Sequence, residues 1–164
     1  MGEMVMTATA TIPAPAEKVW ELSCDTARYA EWVKGTSEVV KTDGPAHMGS
    51  TYDEINPILG PWKARSHWTV VEHAPPNRSV HAGEGLPLCK EFSVETVVSP
   101  VGDDACEFTL TLRATPSGGP AGRAFFSLMK GQTERDNRKN VENFAELAGR
   151  ELGARQASPT AGVS

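Results

Sequence analysis

Residues 11–33 read TIPAPAEKVWELSCDTARYAEWV. Pro13 and Pro15 stop whatever precedes them, because proline fixes φ, lacks a backbone N–H and restrains its predecessor. Upstream, residues 4–12 (MVMTATATI) alternate apolar with small or hydroxyl side chains, the period-two sign of a strand. Downstream, AEKVWELSCD predicts a short helix with Val19, Trp20 and Leu22 on its inner side. TARYAEWV predicts a second short helix or helical turn that brings Tyr29, Trp32 and Val33 together toward the interior. One strand and two short helices rich in aromatic surface are therefore the unit that the rest of the chain must cover.

Strand signals follow. SEVVKT (37–42) and STYDEI (50–55) are separated by turn residues, and Gly60-Pro61 breaks the chain before WKARSHWTVVEH (62–73). APPN (74–77) is a hard turn; RSVHAG (78–83) is a short strand, and EGLP a turn. CKEFSVETVVS (89–99) and ACEFTLTLRAT (105–115) are the clearest strands, joined by PVGDD. In the second, Cys106, Phe108, Leu110 and Leu112 alternate with Glu107, Thr109, Thr111 and Arg113, which predicts one buried face and one wet face. Phe92, Val94, Thr96 and Val98 are the matching inward positions on the earlier strand.

After PSGGP the period changes. Residues 120–152 predict one long helix, with Phe125, Met129, Thr133, Asn137, Val141, Phe144 and Ala148 as its inner stripe and Gly122 and Gly131 weakening its first half. It is the only element long enough to cover the apolar face of the strands. Residues 153–164 lack such a stripe and are expected to form a flexible tail, leaving residues 1–152 as a single domain.

Composition narrows the function classes. The chain has 164 residues, enough for one core, with 39% hydrophobic and 23% charged residues. Its formal charge of -5 argues against general affinity for nucleic acid or anionic membrane, while leaving room for a local patch. Three cysteines, Cys24, Cys89 and Cys106, lack paired spacing and suit a reducing cytoplasm. Neither a secretory leader nor an apolar stretch long enough to span a membrane is expected.

The order strand, two short helices, about six strands, long helix resembles the START-like, or helix-grip, superfamily, in its polyketide cyclase/dehydrase-like SRPBCC branch. The residues that carry the resemblance are Ile12, Pro13, Ala14, Val19, Trp20, Tyr29 and Trp32, followed by WTVVEHAPPNRSV (68–80). The resemblance covers roughly residues 4–150. It implies an α+β fold: a curved seven-stranded antiparallel sheet around a long C-terminal helix, with a cavity between them that takes an apolar small molecule. It implies a small-molecule-binding protein, with a polyketide or other secondary metabolite as ligand. Polyketide cyclase or aromatase activity, self-resistance by sequestration of a toxic metabolite, and regulation through the outer surface stay open beside it. The expected partner is a hydrophobic or aromatic small molecule; no cofactor, no nucleic acid and no integral membrane association is expected.

The candidate ligand-binding residues are Tyr29, Trp32, Trp68, Phe92, Phe108, Met129, Thr133 and Asn137. Tyr29 and Trp32 read either as core packing or as ligand contacts, since rigid rings with one polar handle suit both roles. Trp62 and Trp68 share a strand face with Ala64 and Ser66 between them, which fits a cavity wall or ordinary core. Phe92, Phe108, Leu110 and Leu112 form the inner surface of the sheet, with Phe125 and the flexible Met129 packing against them. Thr133 and Asn137 interrupt the helical stripe. Either they face the interior and need a partner such as a ligand or water, or the helix is rotated and leaves both near solvent. No catalytic residue is assigned. His67 and His81 have the ordinary pKa for proton transfer, but either could point outward, and His67 and Arg65 alternate opposite Trp68. Asp53 and Glu54 are adjacent strand residues on opposite faces. No Cys/His ligand set or nucleophile triad is spelled out locally, so no metal site is expected.

Overall fold

Pro13 and Pro15 separate strand β1 (Met4–Ile12) from helix α1 (Ala16–Ser23). The computed structural model describes residues 2–153; of the expected tail at 153–164, all but Gly153 lies outside the described residues. In α1, Val19 and Trp20 are buried, and a 3₁₀ helix over Thr26–Glu31 then buries Tyr29. Six further strands follow: β2 (Glu38–Thr42), β3 (Thr51–Leu59), β4 (Trp62–Ala74), β5 (Arg78–Glu84), β6 (Cys89–Pro100) and β7 (Cys106–Pro116). Helix α2 spans Gly119–Ala148, and a π-helical turn over Gly149–Gly153 ends the described chain.

The seven strands form one antiparallel sheet in the order β1-β7-β6-β5-β4-β3-β2. Successive strands are neighbours from β2 to β7, and β1 closes against β7 with Met4 opposite Ala114 and Ile12 opposite Cys106. Register shifts between Val39 and Lys41, Pro57 and Leu59, Val70 and Glu72, and Cys89 and Glu91 mark bulges. Extra residues of this kind increase local twist and bend a strand, which curves the sheet toward α2. This is the helix-grip arrangement expected above.

α2 begins where Gly118 adopts φ 78° and Pro120 occupies the first turn. Gly122 is required there: a Cβ would fall 1.5 Å from the Ser117 carbonyl oxygen. The helix runs without a break through Gly131. Its second half carries the apolar stripe, with Val141, Phe144, Leu147 and Ala148 buried. Phe144 stacks on Phe108 of β7 with ring centroids 4.0 Å apart, and Trp32 packs edge-on against both. Burying a side chain of this size stabilises a fold by about 1.5–3 kcal/mol, so this trio anchors the helix to the sheet. The first half differs from expectation: Phe125 and Met129 stay more than a third exposed instead of entering the core.

Trp62 also departs from the sequence reading. It is 73% exposed, while Ser66 and Trp68 on the same strand are buried. Trp62 pairs with Leu59 at the tip of the β3–β4 hairpin, beyond the bulge at Pro57. Strand alternation sets which side a residue faces, but at the tip no second layer covers that side. Among the described residues, no helix is long and apolar enough to cross a membrane.

Candidate functional site

Between the sheet and α2 lies a cavity of about 290 Å³. The 3₁₀ helix brings Tyr29 to it and, just past its end, Trp32; β3 brings Tyr52, Glu54 and Asn56; β4 brings Trp68; β5 brings His81. Phe92, Val94 and Thr96 of β6, Leu110 and Leu112 of β7, and Thr133 and Asn137 of α2 complete most of the wall. A second cavity of about 280 Å³ shares Pro57, Ile58, Leu86, Phe92 and Thr133 with the first. It continues the space toward Phe125, Phe126 and Met129 at the start of α2.

Of the eight candidate residues, Tyr29, Trp32, Trp68, Phe92, Thr133 and Asn137 line the first cavity, and Met129 lines the second. Phe108 lies elsewhere: it is fully buried, stacked on Phe144 and edge-on to Trp32, and lines neither cavity. The structure thus places this candidate in the core cluster. Asn137 is buried and donates through Nδ2 to the carbonyl oxygens of Met6 (3.3 Å) and Leu110 (3.2 Å). That pair of bonds sets the helix rotation. Thr133 is half-buried and returns its hydroxyl to the Met129 carbonyl at 3.1 Å.

The cavity wall also holds four residues outside the candidate ligand-binding set: Tyr52 and Asn56, which the sequence reading missed, Glu54, read only as facing away from Asp53, and His81, weighed only for proton transfer. Tyr52 and Trp68 stand opposite each other across β3 and β4 with nearly parallel rings, and Tyr29 packs edge-on against Tyr52. The Tyr52 hydroxyl lies 2.8 Å from His81 Nδ1. Burial, with a smaller contribution from His73, lowers the His81 pKa to about 4, so its imidazole is neutral at neutral pH. Burial also holds the phenols of Tyr29 and Tyr52 well above their ordinary value. Glu54 is buried, accepts a hydrogen bond from Thr36 Oγ1 at 2.9 Å, and has its pKa raised by desolvation. The missed signal was a two-residue step: once Tyr52 faces inward, Glu54 and Asn56 must follow it.

One part of this wall is internally satisfied. Trp68 Nε1 donates to Ser66 Oγ at 2.9 Å, Ser66 Oγ donates to Asn56 Oδ1 at 2.6 Å, and Asn56 Nδ2 donates to the Gly35 carbonyl at 2.9 Å. Another part is not. Among the described residues, four buried side-chain polar atoms lack a protein partner: Trp32 Nε1, His81 Nε2, Asn137 Oδ1 and His73 Nδ1. The first three belong to residues of this one cavity wall. Buried polar atoms are nearly always paired, so three such atoms on residues of one wall are a distinct feature.

The remaining polar candidates lie elsewhere. His67 Nδ1 sits 2.5 Å from Asp53 Oδ1, and Arg65 reaches Asp53 Oδ2 at 2.6 Å, on the outer face of the sheet. Asp53 and Glu54 thus diverge as adjacent strand residues must. Cys24 is buried, and desolvation pushes its thiol up to about 11, which removes it as a thiolate nucleophile.

Comparison with solved structures places this geometry in context. The Zhui aromatase/cyclase from Streptomyces sp. R1128 superposes with a TM-score of 0.74 at 16% identity, covering 98% of this chain and 99% of that one. A protein from Thermus thermophilus gives 0.72 at 19% identity, covering 87% and 95%. Norcoclaurine synthase from Thalictrum flavum gives 0.67 at 13% identity, covering 89% and 93%. At such identities the likeness is one of fold. No curated protein matches the sequence. The profile of polyketide cyclase/dehydrase and lipid transport proteins, however, matches residues 4–149, and the chain belongs to that family.

Proposed function

We propose that residues up to 152 act as one domain that binds an aromatic, oxygen-bearing small molecule of polyketide type in the cavity between sheet and helix. The observation that carries this reading is the set of unpartnered atoms on Trp32, His81 and Asn137 in one mostly apolar wall. A wholly apolar guest would leave them unpaired; a guest with a few oxygens satisfies them at little cost in buried surface. The indole N–H supplies a donor and the Asn137 amide oxygen an acceptor. The His81 nitrogen supplies either, according to the tautomer set by Tyr52. The aromatic walls of Tyr29, Tyr52 and Trp68 favour flat rings. Three free thiols support a cytoplasmic setting as part of the same proposal.

Cyclisation of a poly-ketone in the same space is a second reading, favoured by the Tyr52–His81 pair beside Glu54. With Nδ1–H donating to Tyr52, His81 Nε2 is free to take a proton from a carbon between two carbonyls. A nitrogen with a pKa of about 4 is a weak base at neutral pH, which places binding ahead of catalysis.

The test is a backbone and side-chain NMR titration with aromatic polyketides, flavonoids, sterols and fatty acids, followed by product analysis of each sample. The expected result is saturable shifts at Trp32, His81 and Asn137 together for oxygenated aromatic ligands. Shifts confined to fatty acids, or absent from all three residues, would remove the proposal. A new product formed by the wild type and not by His81→Phe would promote the second reading.

A further inference from the structure

The apolar residues that the fold leaves uncovered are not scattered. Among the described residues, seven of twelve exposed large hydrophobics come from three short segments: the β3–β4 hairpin tip, the β5–β6 loop and the first half of α2. The hairpin contributes Ile58, Leu59 at 76% exposure and Trp62 at 73%. The loop contributes Leu88, and α2 contributes Phe125, Leu128 at 81% and Met129. The segments are neighbours in space. Pro57 and Ile58, Leu86 and Pro87, and Phe125 and Met129 all line the second cavity, so the three segments surround that outer part of the internal space. The Ser117 N–H donates to the Leu88 carbonyl at 2.8 Å, tying the loop to the start of α2. Phe125, Leu128 and Met129 stand at helical steps of three and four, on one side of α2.

Charge follows the same outline. Residues 57–64, 85–90 and 119–132 contain Lys63, Lys90, Arg123 and Lys130 and no Asp or Glu, in a chain whose net charge is -5. All four cations are exposed. Acidic residues return only at the borders, as Glu84, Glu91 and Glu134, the last 3.8 Å from Lys130. An apolar surface fringed by cations on an otherwise acidic protein is complementary to one kind of partner, an anionic lipid surface. Exposed Trp and Leu side chains enter the headgroup boundary, and lysine and arginine pair with lipid phosphates.

We propose that this rim docks the protein reversibly on anionic membranes, with the outer cavity facing the lipid. A poorly water-soluble aromatic ligand then passes between bilayer and cavity without crossing water. The docking proposal goes beyond the binding reading and does not depend on it, because it is tested without any ligand.

Trp62 makes the test direct. The other three tryptophans are buried, so a change in emission on docking reports Trp62. The full chain is mixed with vesicles of phosphatidylcholine alone and of phosphatidylcholine with phosphatidylserine, and both tryptophan emission and co-sedimentation are read. The expected result is a blue shift and sedimentation with anionic vesicles only, weakened by salt. Leu128→Asp and the pair Lys63→Glu, Lys130→Glu should each weaken binding about tenfold or more. These positions are exposed, so the variants keep the fold, which circular dichroism checks. Absence of binding to anionic vesicles at low salt overturns the proposal. So does binding that depends on Lys63 and Lys130 but ignores Leu128 and leaves Trp62 in water, which is electrostatic adsorption without insertion of the apolar rim.

Discussion

The Tyr52 hydroxyl and His81 Nδ1 lie 2.8 Å apart in a buried wall, where the imidazole stays neutral. The burial of His81 makes the fold sensitive to acid. His81 titrates at about 4 in the fold, against an ordinary 6.5. Between those values the unfolded chain holds more protons than the folded one. Stability is therefore intact above pH 6.5 and falls as pH drops toward 4, by up to about 3 kcal/mol. Glu54, whose pKa is raised, works in the opposite direction, since its folded form keeps the proton as pH rises past the ordinary value. Urea midpoints across this range for wild type and His81→Gln should converge as pH falls. Parallel curves would show that His81 is not desolvated.

Phe108 and Phe92 should separate stability from binding. Phe108 is buried in the stack with Phe144, whereas Phe92 lines both cavities. Phe108→Ala should cost about 3–5 kcal/mol in urea unfolding. Phe92→Leu should cost little stability and weaken ligand binding in isothermal calorimetry. A Phe108→Leu variant that stays folded but loses the ligand would contradict this division.

Gly83 of β5 lies directly under the Trp68 ring, and a Cβ there would sit 2.8 Å from Cζ3 of the indole. Gly83→Ala should push the ring off its place, strain the Trp68–Ser66 hydrogen bond and cost about 1–3 kcal/mol. Thermal melts and the Trp68 indole N–H resonance would register the change. An unshifted resonance would mean that the wall is softer than its packing indicates.

Asn137 joins α2 to the carbonyls of Met6 and Leu110. Asn137→Ala should destabilise the fold by about 1–3 kcal/mol, since buried carbonyl oxygens lose their donor. It should also weaken binding of an oxygenated ligand more than of a hydrocarbon of the same shape. Equal weakening of both would place the role of Asn137 in helix positioning alone.

Much of this architecture was legible in local pattern. The prolines after Ile12, the alternation around Phe108 and the change of period after Gly119 mark the element order, because each is a short-range steric or periodic effect. Six of the eight candidate residues lie around the first cavity for the same reason: they stand on inward faces of elements whose periods are clear. Phe108 shows the limit. Its inward direction could be read, but its depth depends on Phe144, which follows it by more than thirty positions in the chain.

By itself, the sequence determined the order of elements, the inward direction of most strand residues and the family resemblance. These depend on chain stereochemistry and on side-chain spacing over a few residues. Tertiary structure decided that Glu54 and His81 are buried polar groups sharing a cavity wall with Tyr52. It also left Trp62 outside and drew the cationic, apolar segments together around the outer cavity. Those outcomes depend on which elements meet across the sheet, and on the burial and dielectric that follow, which no local spacing encodes.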